Sequence, residues 1–338
     1  MDSAAELGRF RRLVTATIIA TFVLILIGGI VRVSDSGLGC GPEGSGTQGW
    51  PLCEGGVIPA TSAESMIEYS HRIAAGIVSV LMLIVAWRAW RSLREHRWIV
   101  GLSATAGVLV LAQAGLGGLT VEKGLDEYLV AAHLGLAMIF LGTLFALRRL
   151  ASASKPAPAG GSGLLRSLSA VTAVLILATI VAGGLVAGTE GEGTPTEPVL
   201  GAHTACGEQF PACVDEFMPF GVDRLIDIQL VHRLFMYLTA IAVIALVAVA
   251  IRERAPSRSF MAVGGLVAAQ ILLGAANVWL GKHAGLILAH LSLGTAIWAT
   301  IVYANTTLMR IPAPVPGTSP SANNSPSRAD GETEAATV

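Results

Sequence analysis

The chain has 338 residues, of which 53% are hydrophobic and only 13% charged, with mean hydropathy +0.67. Soluble domains carry about 25% charged residues, so this composition is that of a membrane protein, and no polar stretch is long enough to form a separate soluble domain. A formal net charge of -1, with no basic patch beyond short clusters flanking the apolar runs, excludes nucleic acid as a partner.

Crossing a hydrocarbon core takes about 20 apolar residues. Eight such runs follow one another, at roughly 13–33, 65–87, 99–120, 128–148, 165–187, 229–250, 259–280 and 285–305. The first follows "GRFRR". Its apolar core is too long for a signal peptide and no small-residue cleavage site follows it, so it is expected to stay as a helix. The loop after span 1 carries Cys40 and Cys53. Span 2 opens on "EYSHR", which places Glu68, His71 and Arg72 at its start, and span 4 carries His133. Residues 151–163, "ASASKPAPAGGSG", read as a flexible small-residue linker. Beyond them the loop after span 5 carries Cys206 and Cys213, span 6 opens on "QLVHR" with His232 and Arg233, and span 8 carries His290. The tail from about 311 is rich in Pro, Ser and Ala and reads as disordered.

The two sides of the linker repeat each other. "GGIVRVSDSG" at 28–37 answers "GGLVAGTEGE" at 183–192, "AQAGLGGLTV" at 112–121 answers "AQILLGAANV" at 269–278, and "AAHLGLAM" at 131–138 answers "LAHLSLGT" at 288–295. An even number of spans per half inserts both halves the same way round, so the expected fold is an all-α membrane protein of two tandem, pseudo-twofold-related four-helix bundles. The expected divisions are 1–150, the linker 151–163, 164–310 and the tail 311–338.

Sidedness follows from the basic residues. Of 22 Lys and Arg, an arrangement with the N-terminus inside leaves six outside: Arg32, Arg72, Lys123, Arg224, Arg233 and Lys282. Both termini are then cytoplasmic and both cysteine loops extracytoplasmic, where disulfides persist. Two intraloop bridges, Cys40–Cys53 and Cys206–Cys213, are the simplest of three connectivities; a zinc site is disfavoured because neither loop has a C-x-x-C spacing.

Four of the seven histidines lie within spans, and they are repeat-related: His71 answers His232, and His133 answers His290. Polar side chains at this depth are costly and mark function. Two imidazoles per bundle on alternate helices suit the axial ligation of haem iron, whereas an isolated histidine would read as an interhelical hydrogen bonder. His96, His203 and His283 fall in loops and read as solvated. The glycines flanking the pairs read first as close helix packing, and the clearance of a flat macrocycle would need the same relief. Arg72 and Arg233 are candidate contacts for haem propionates, or they snorkel to the interface. Gln113 and Gln270 read as interhelical hydrogen bonders. Glu68 lies one helical turn before His71, on the same face, but the residue three before His232 is Gln229. Only the first bundle therefore offers an ionisable group beside its histidines.

This constellation resembles the haem A synthase family over residues 10 to about 310, through the eight spans, the "GLGC…WPLC" loop, the "EYSHR" element and the paired histidines. The resemblance implies oxidation of the haem O C8 methyl to a formyl, by successive hydroxylations and loss of water from the geminal diol. It implies that the N-terminal half holds substrate haem O through His71 and His133, that the C-terminal half holds a haem b cofactor through His232 and His290, and that Glu68 is the essential carboxylate. It also implies the Cys40–Cys53 disulfide and, as in some members, Cys206–Cys213. The twelve residues between Cys40 and Cys53 are more than the family's usual spacing. Membrane lipid, the farnesyltransferase that makes haem O, and an electron donor that no motif identifies are the expected partners. The rival reading is a bis-histidine membrane cytochrome b for quinol-linked electron transfer, but both sites would lie near the same face and Glu68 would have no role. A haem transporter would leave the second site unexplained.

Overall fold

A computed structural model describes residues 3–58, 62–152, 158–190, 201–254, 258–281 and 283–311. The tail expected to be disordered and part of the expected linker, residues 153–157, lie outside them. The described residues form eight long α-helices, each apolar enough to cross a membrane, and no strand beyond two isolated bridges. They are α1 (Ser3–Val33), α2 (Ala63–Ser92), α3 (Arg97–Glu122), α4 (Glu127–Leu150), α5 (Gly163–Gly188), α6 (Arg224–Arg252), α7 (Arg258–Trp279) and α8 (Ala284–Leu308).

Several helices outrun the apolar runs that announce them. α1 begins ten residues before the expected 13 and α6 five before the expected 229. The apolar run marks only what lies in hydrocarbon, whereas a helix continues until its end groups find other partners. Caps decide the starts at the cysteine-loop end. Ser62 Oγ accepts from Ser65 N at 3.1 Å, Asp126 Oδ1 from Tyr128 N at 3.0 Å and Asp223 Oδ1 from Leu225 N at 2.8 Å. His283 also caps: its Nδ1 accepts from Gly285 N at the head of α8. The linker's described end is tied down. Gly160 N donates to Leu308 O, and Arg166 Nη1 donates to Gly161 O at 2.6 Å.

Each of α1 to α4 packs on the next, and α1 also meets α4; α5 to α8 do the same, and α5 meets α8. Between these two sets, α4 packs on α5 and on α8, and α1 on α8. Lipid is as apolar as leucine, so contact between such helices depends on close backbone approach and interhelical hydrogen bonds. Both are present. Gly29 of α1 faces Leu291 of α8, Gly135 of α4 faces Val181 of α5, and Gly184 of α5 faces the Ala131 backbone of α4 at 3.2 Å from an added Cβ. Trp298 Nε1 on α8 donates to Met138 O on α4 at 2.7 Å, with both groups buried. Arg32 Nη2 reaches Ala187 O at 2.8 Å, and Arg224 pairs with Glu127, both near the cysteine-loop end. Buried hydroxyls of Thr17, Thr21 and Thr172 return to carbonyls four residues back, which satisfies them without a partner helix.

Gly184→Val is expected to lower the thermal midpoint of the detergent-solubilised protein, at a cost of about 1–3 kcal/mol for forced overpacking against backbone. Gly101→Val, where an added Cβ meets nothing within 4 Å, is the control and should leave the midpoint near wild type in the same scan.

Candidate functional site

The four spanning histidines share one local environment, each built by a neighbouring helix. An added Cβ on Gly28 of α1 would lie 3.1 Å from His71 Cε1, and one on Gly117 of α3 3.1 Å from His133 Cε1. In the second half an added Cβ on Gly183 of α5 would lie 3.0 Å from His232 Cε1, and one on Gly274 of α7 3.1 Å from His290 Cε1. The sequence favours packing for the glycines without separating it from macrocycle clearance, and the structure gives each glycine its neighbour. One member of each double glycine backs an imidazole, Gly28 or Gly183. The other, Gly29 or Gly184, faces the opposite half.

Polar contacts fix the rings further. Gln113 Nε2 donates to His133 O and Gln270 Nε2 to His290 O, both at 2.9 Å. These are the interhelical bonds expected of the two glutamines. His232 Nδ1 lies 3.0 Å from Thr179 O; since a carbonyl only accepts, Nδ1 carries the proton and Nε2 is left with its lone pair free for a metal. Nδ1 of His71, His133 and His290 is buried with no hydrogen-bond partner among the described residues. The His232 and His290 ring centroids are 6.4 Å apart. Two imidazoles each ~2 Å from one metal ion place their centroids roughly 6 Å apart, so the spacing fits a shared axial pair. A cavity of about 50 Å³ lies one to two turns further along, between Thr179, Met236, Thr239, Gln270, Gly294 and Ile297.

Among the described residues no cluster of three or more His, Cys, Asp or Glu could hold a bare metal ion. Donors that come in twos suit a metal whose remaining positions are filled by its own macrocycle. The paired imidazoles, their buried Nδ1 atoms and the glycine backing therefore fit haem. His96 and His203 are half-buried rather than fully solvated.

Above the histidines sit the two cysteine loops. Cys40 bridges to Cys53 and Cys206 to Cys213. The loops share a further pattern that the sequence reading missed, an aromatic-Pro-x-Cys run: "WPLC" at 50–53 and "FPAC" at 210–213. Each second cysteine then opens a two-residue turn with positive φ, at Glu54 and Gly55 and at Val214 and Asp215, closed by paired backbone bonds from Cys53 to Gly56 and from Cys213 to Glu216. The arginine after each histidine reads that run. Arg72 Nη1 donates to Leu52 O and Arg233 Nη1 to Ala212 O, both at 2.8 Å, each to the carbonyl just before the cysteine. Arg233 also holds Gln209 O at 2.9 Å. Both guanidiniums therefore fasten a loop to its helix, a contact that neither propionate binding nor snorkelling describes.

Glu68 is 4% exposed. Its Oε2 accepts from Cys40 N at 2.7 Å and its Oε1 pairs with Arg72. The carboxylate thus joins the histidine helix to the disulfide. Gln229 holds the matching place in α6; its Oε1 is buried with no hydrogen-bond partner among the described residues. The first loop has further ties among the described residues. Ser65 Oγ donates to Gly39 O at 2.6 Å, Gly46 N to Glu122 Oε2 at 3.0 Å, and the Trp50 ring lies against Gly118, next to the glycine that backs His133.

Eight membrane-grade helices, with four glycine-backed imidazoles beneath two disulfide loops, define a multi-pass membrane protein with a site suited to haem. Residues 11–302 match the COX15-CtaA family of cytochrome oxidase assembly proteins, and the chain belongs to that family. It is 29% identical over 298 residues to the heme A synthase of Halalkalibacterium halodurans, covering 86% of this chain and 93% of that one. It is 27% identical over 312 residues to the heme A synthase of Exiguobacterium sibiricum, covering 88% and 94%. A shorter match of 136 residues, 40% of this chain and 44% of the relative, is 38% identical to the heme A synthase of Alkalihalophilus pseudofirmus.

Gly117→Val and Gly274→Val, which drive a branched side chain into His133 and His290, are each expected to remove most of the bound pigment from one half. Gly115→Val, where nothing lies within 4 Å of an added Cβ, should keep it. Iron and pyridine-haemochrome assay of the purified variants gives the comparison.

Proposed function

We propose that this chain is a haem A synthase: an oxidoreductase that converts the C8 methyl of haem O to a formyl, through the alcohol and the geminal diol, which loses water. The observation that carries this reading is a glycine-backed histidine pair present in both halves with a carboxylate beside only one of them.

In this reading residues 1–150 form the substrate bundle, in which His71 and His133 take the iron of haem O. Residues 164–310 form the cofactor bundle, in which His232 and His290 hold haem b. When bound, haem b supplies one-electron redox chemistry. Thr179 orients His232, and Gln113 and Gln270 fix the backbone that carries His133 and His290. Those contacts hold the rings before a ligand arrives, which lowers the ordering cost of binding.

Glu68 is the catalytic residue. Its ion pair with Arg72 and its bond from Cys40 N hold the carboxylate at one place beside the first histidine pair, where it takes the proton released as the methyl carbon is oxygenated. Gln229 has the same shape and cannot do this. The first cysteine loop, pinned to α2 and to the turn after α3, covers that pocket and keeps water from it. In this reading both loops face the extracytoplasmic side and both termini the cytoplasm, an orientation that the distribution of basic residues supports. Haem O, being as apolar as its membrane, passes from the farnesyltransferase that makes it through lipid or direct contact.

Glu68→Gln is expected to abolish conversion while both sites still load, because the shape and the bond from Cys40 N survive and the proton acceptor does not. Extraction of total pigment shows the result: haem O in place of haem A supports the role, and ordinary haem A content rejects it. Pigment from the wild-type protein should contain haem b together with haem O, haem A or the intermediate alcohol; haem b alone, two per chain, would mark an electron-transfer cytochrome.

A further inference from the structure

The two halves hold the same guanidinium in opposite electrostatic settings. In the first, Arg72 is neutralised by Glu68, one turn back on α2. In the second, the residue one turn back is Gln229, and no carboxylate pairs with Arg233 among the described residues. Arg233 is nonetheless 3% exposed. Its partners are the Gln209, Pro211 and Ala212 carbonyls, with the Phe210 ring centroid 5.5 Å from its Cζ. Carbonyl dipoles and a ring face lessen the cost of burying the charge, but they do not cancel it.

We propose that Gln229, by leaving Arg233 as an uncompensated buried cation next to His232, biases the group held by His232 and His290 toward its reduced state. Adding an electron to a metal centre makes the site more negative, and a fixed cation stabilises that product. Burial keeps the effect from being screened by salt. A unit charge within roughly 10 Å, at an effective dielectric near 20, shifts such an equilibrium on the order of tenfold. The Glu68–Arg72 pair carries no net charge and gives the first site no such bias. The arrangement makes the second site the one better poised to hold an electron, which suits a group that stores and passes on single electrons. Gln229 and Arg233 are positioning residues, acting on the metal through space.

This inference rests on the haem reading above, and the test separates the two. Spectroelectrochemical titration of the purified, haem-loaded protein compares wild type with Gln229→Glu and Glu68→Gln. Gln229→Glu recreates in α6 the pair that α2 already contains, and should move the reduction equilibrium of the second haem about tenfold toward the oxidised form, about 59 mV for a one-electron couple. Glu68→Gln unmasks Arg72 and should move the first haem by a similar factor the other way. If Gln229→Glu fails to load, the Glu68→Gln measurement decides alone. Loaded variants whose midpoints stay within twofold of wild type in this equilibrium overturn the proposal and leave the haem assignment standing. Wild-type protein that purifies with no haem iron overturns the assignment itself.

Discussion

A side-chain-free patch of backbone against an imidazole edge, made four times, is the constraint on which the site depends. Gly28, Gly117, Gly183 and Gly274 each leave about 3 Å between an added Cβ and a histidine Cε1. A side chain at those positions would be tighter than ordinary contact, and the ring would have to give way. The contact fixes how closely α1 lies to α2, α3 to α4, α5 to α6 and α7 to α8, and so it fixes where the rings stand. The second glycine of each pair brings the halves together. Gly28 backs His71 while Gly29 meets Leu291, the neighbour of His290; Gly183 backs His232 while Gly184 meets Ala131 and Leu134, on either side of His133. One double glycine thus couples a histidine of one half to the helix that carries the second histidine of the other.

The second organising contact is between arginine and loop. Cysteine loops of this length would be mobile if only the disulfide closed them. Arg72 and Arg233, each one residue after a histidine, bind the carbonyl before the second cysteine and join loop position to ring position. Glu68 adds a further tie in the first half by accepting from Cys40 N. Glu68 is therefore part of the clamp on the disulfide loop. Opening that loop would disturb it before it disturbed any histidine.

The repeat explains why one fold can serve two tasks. Duplicated halves supply two equivalent sites, and a change at one position, Glu68 against Gln229, makes them unequal in proton chemistry and in charge.

Eight spans, the repeat, the four histidines and the Glu68/Gln229 difference were all legible in the sequence. Each is a property of a short stretch or of two stretches laid side by side, and hydrophobic runs and repeat registers survive without knowledge of contacts. Helix ends were less legible: caps such as Asp223 lie outside the apolar run and extend the helix past it. The assignment of glycines, Gly28 to a ring and Gly29 to the other half, required the tertiary structure, because adjacent glycines point about 100° apart on a helix and only the neighbouring helices decide what each meets. Arg72 and Arg233 needed it too. A guanidinium at a helix start suits propionate, lipid headgroup or loop carbonyl alike, and the loop lies twenty residues upstream, a distance over which sequence pattern says nothing of contact.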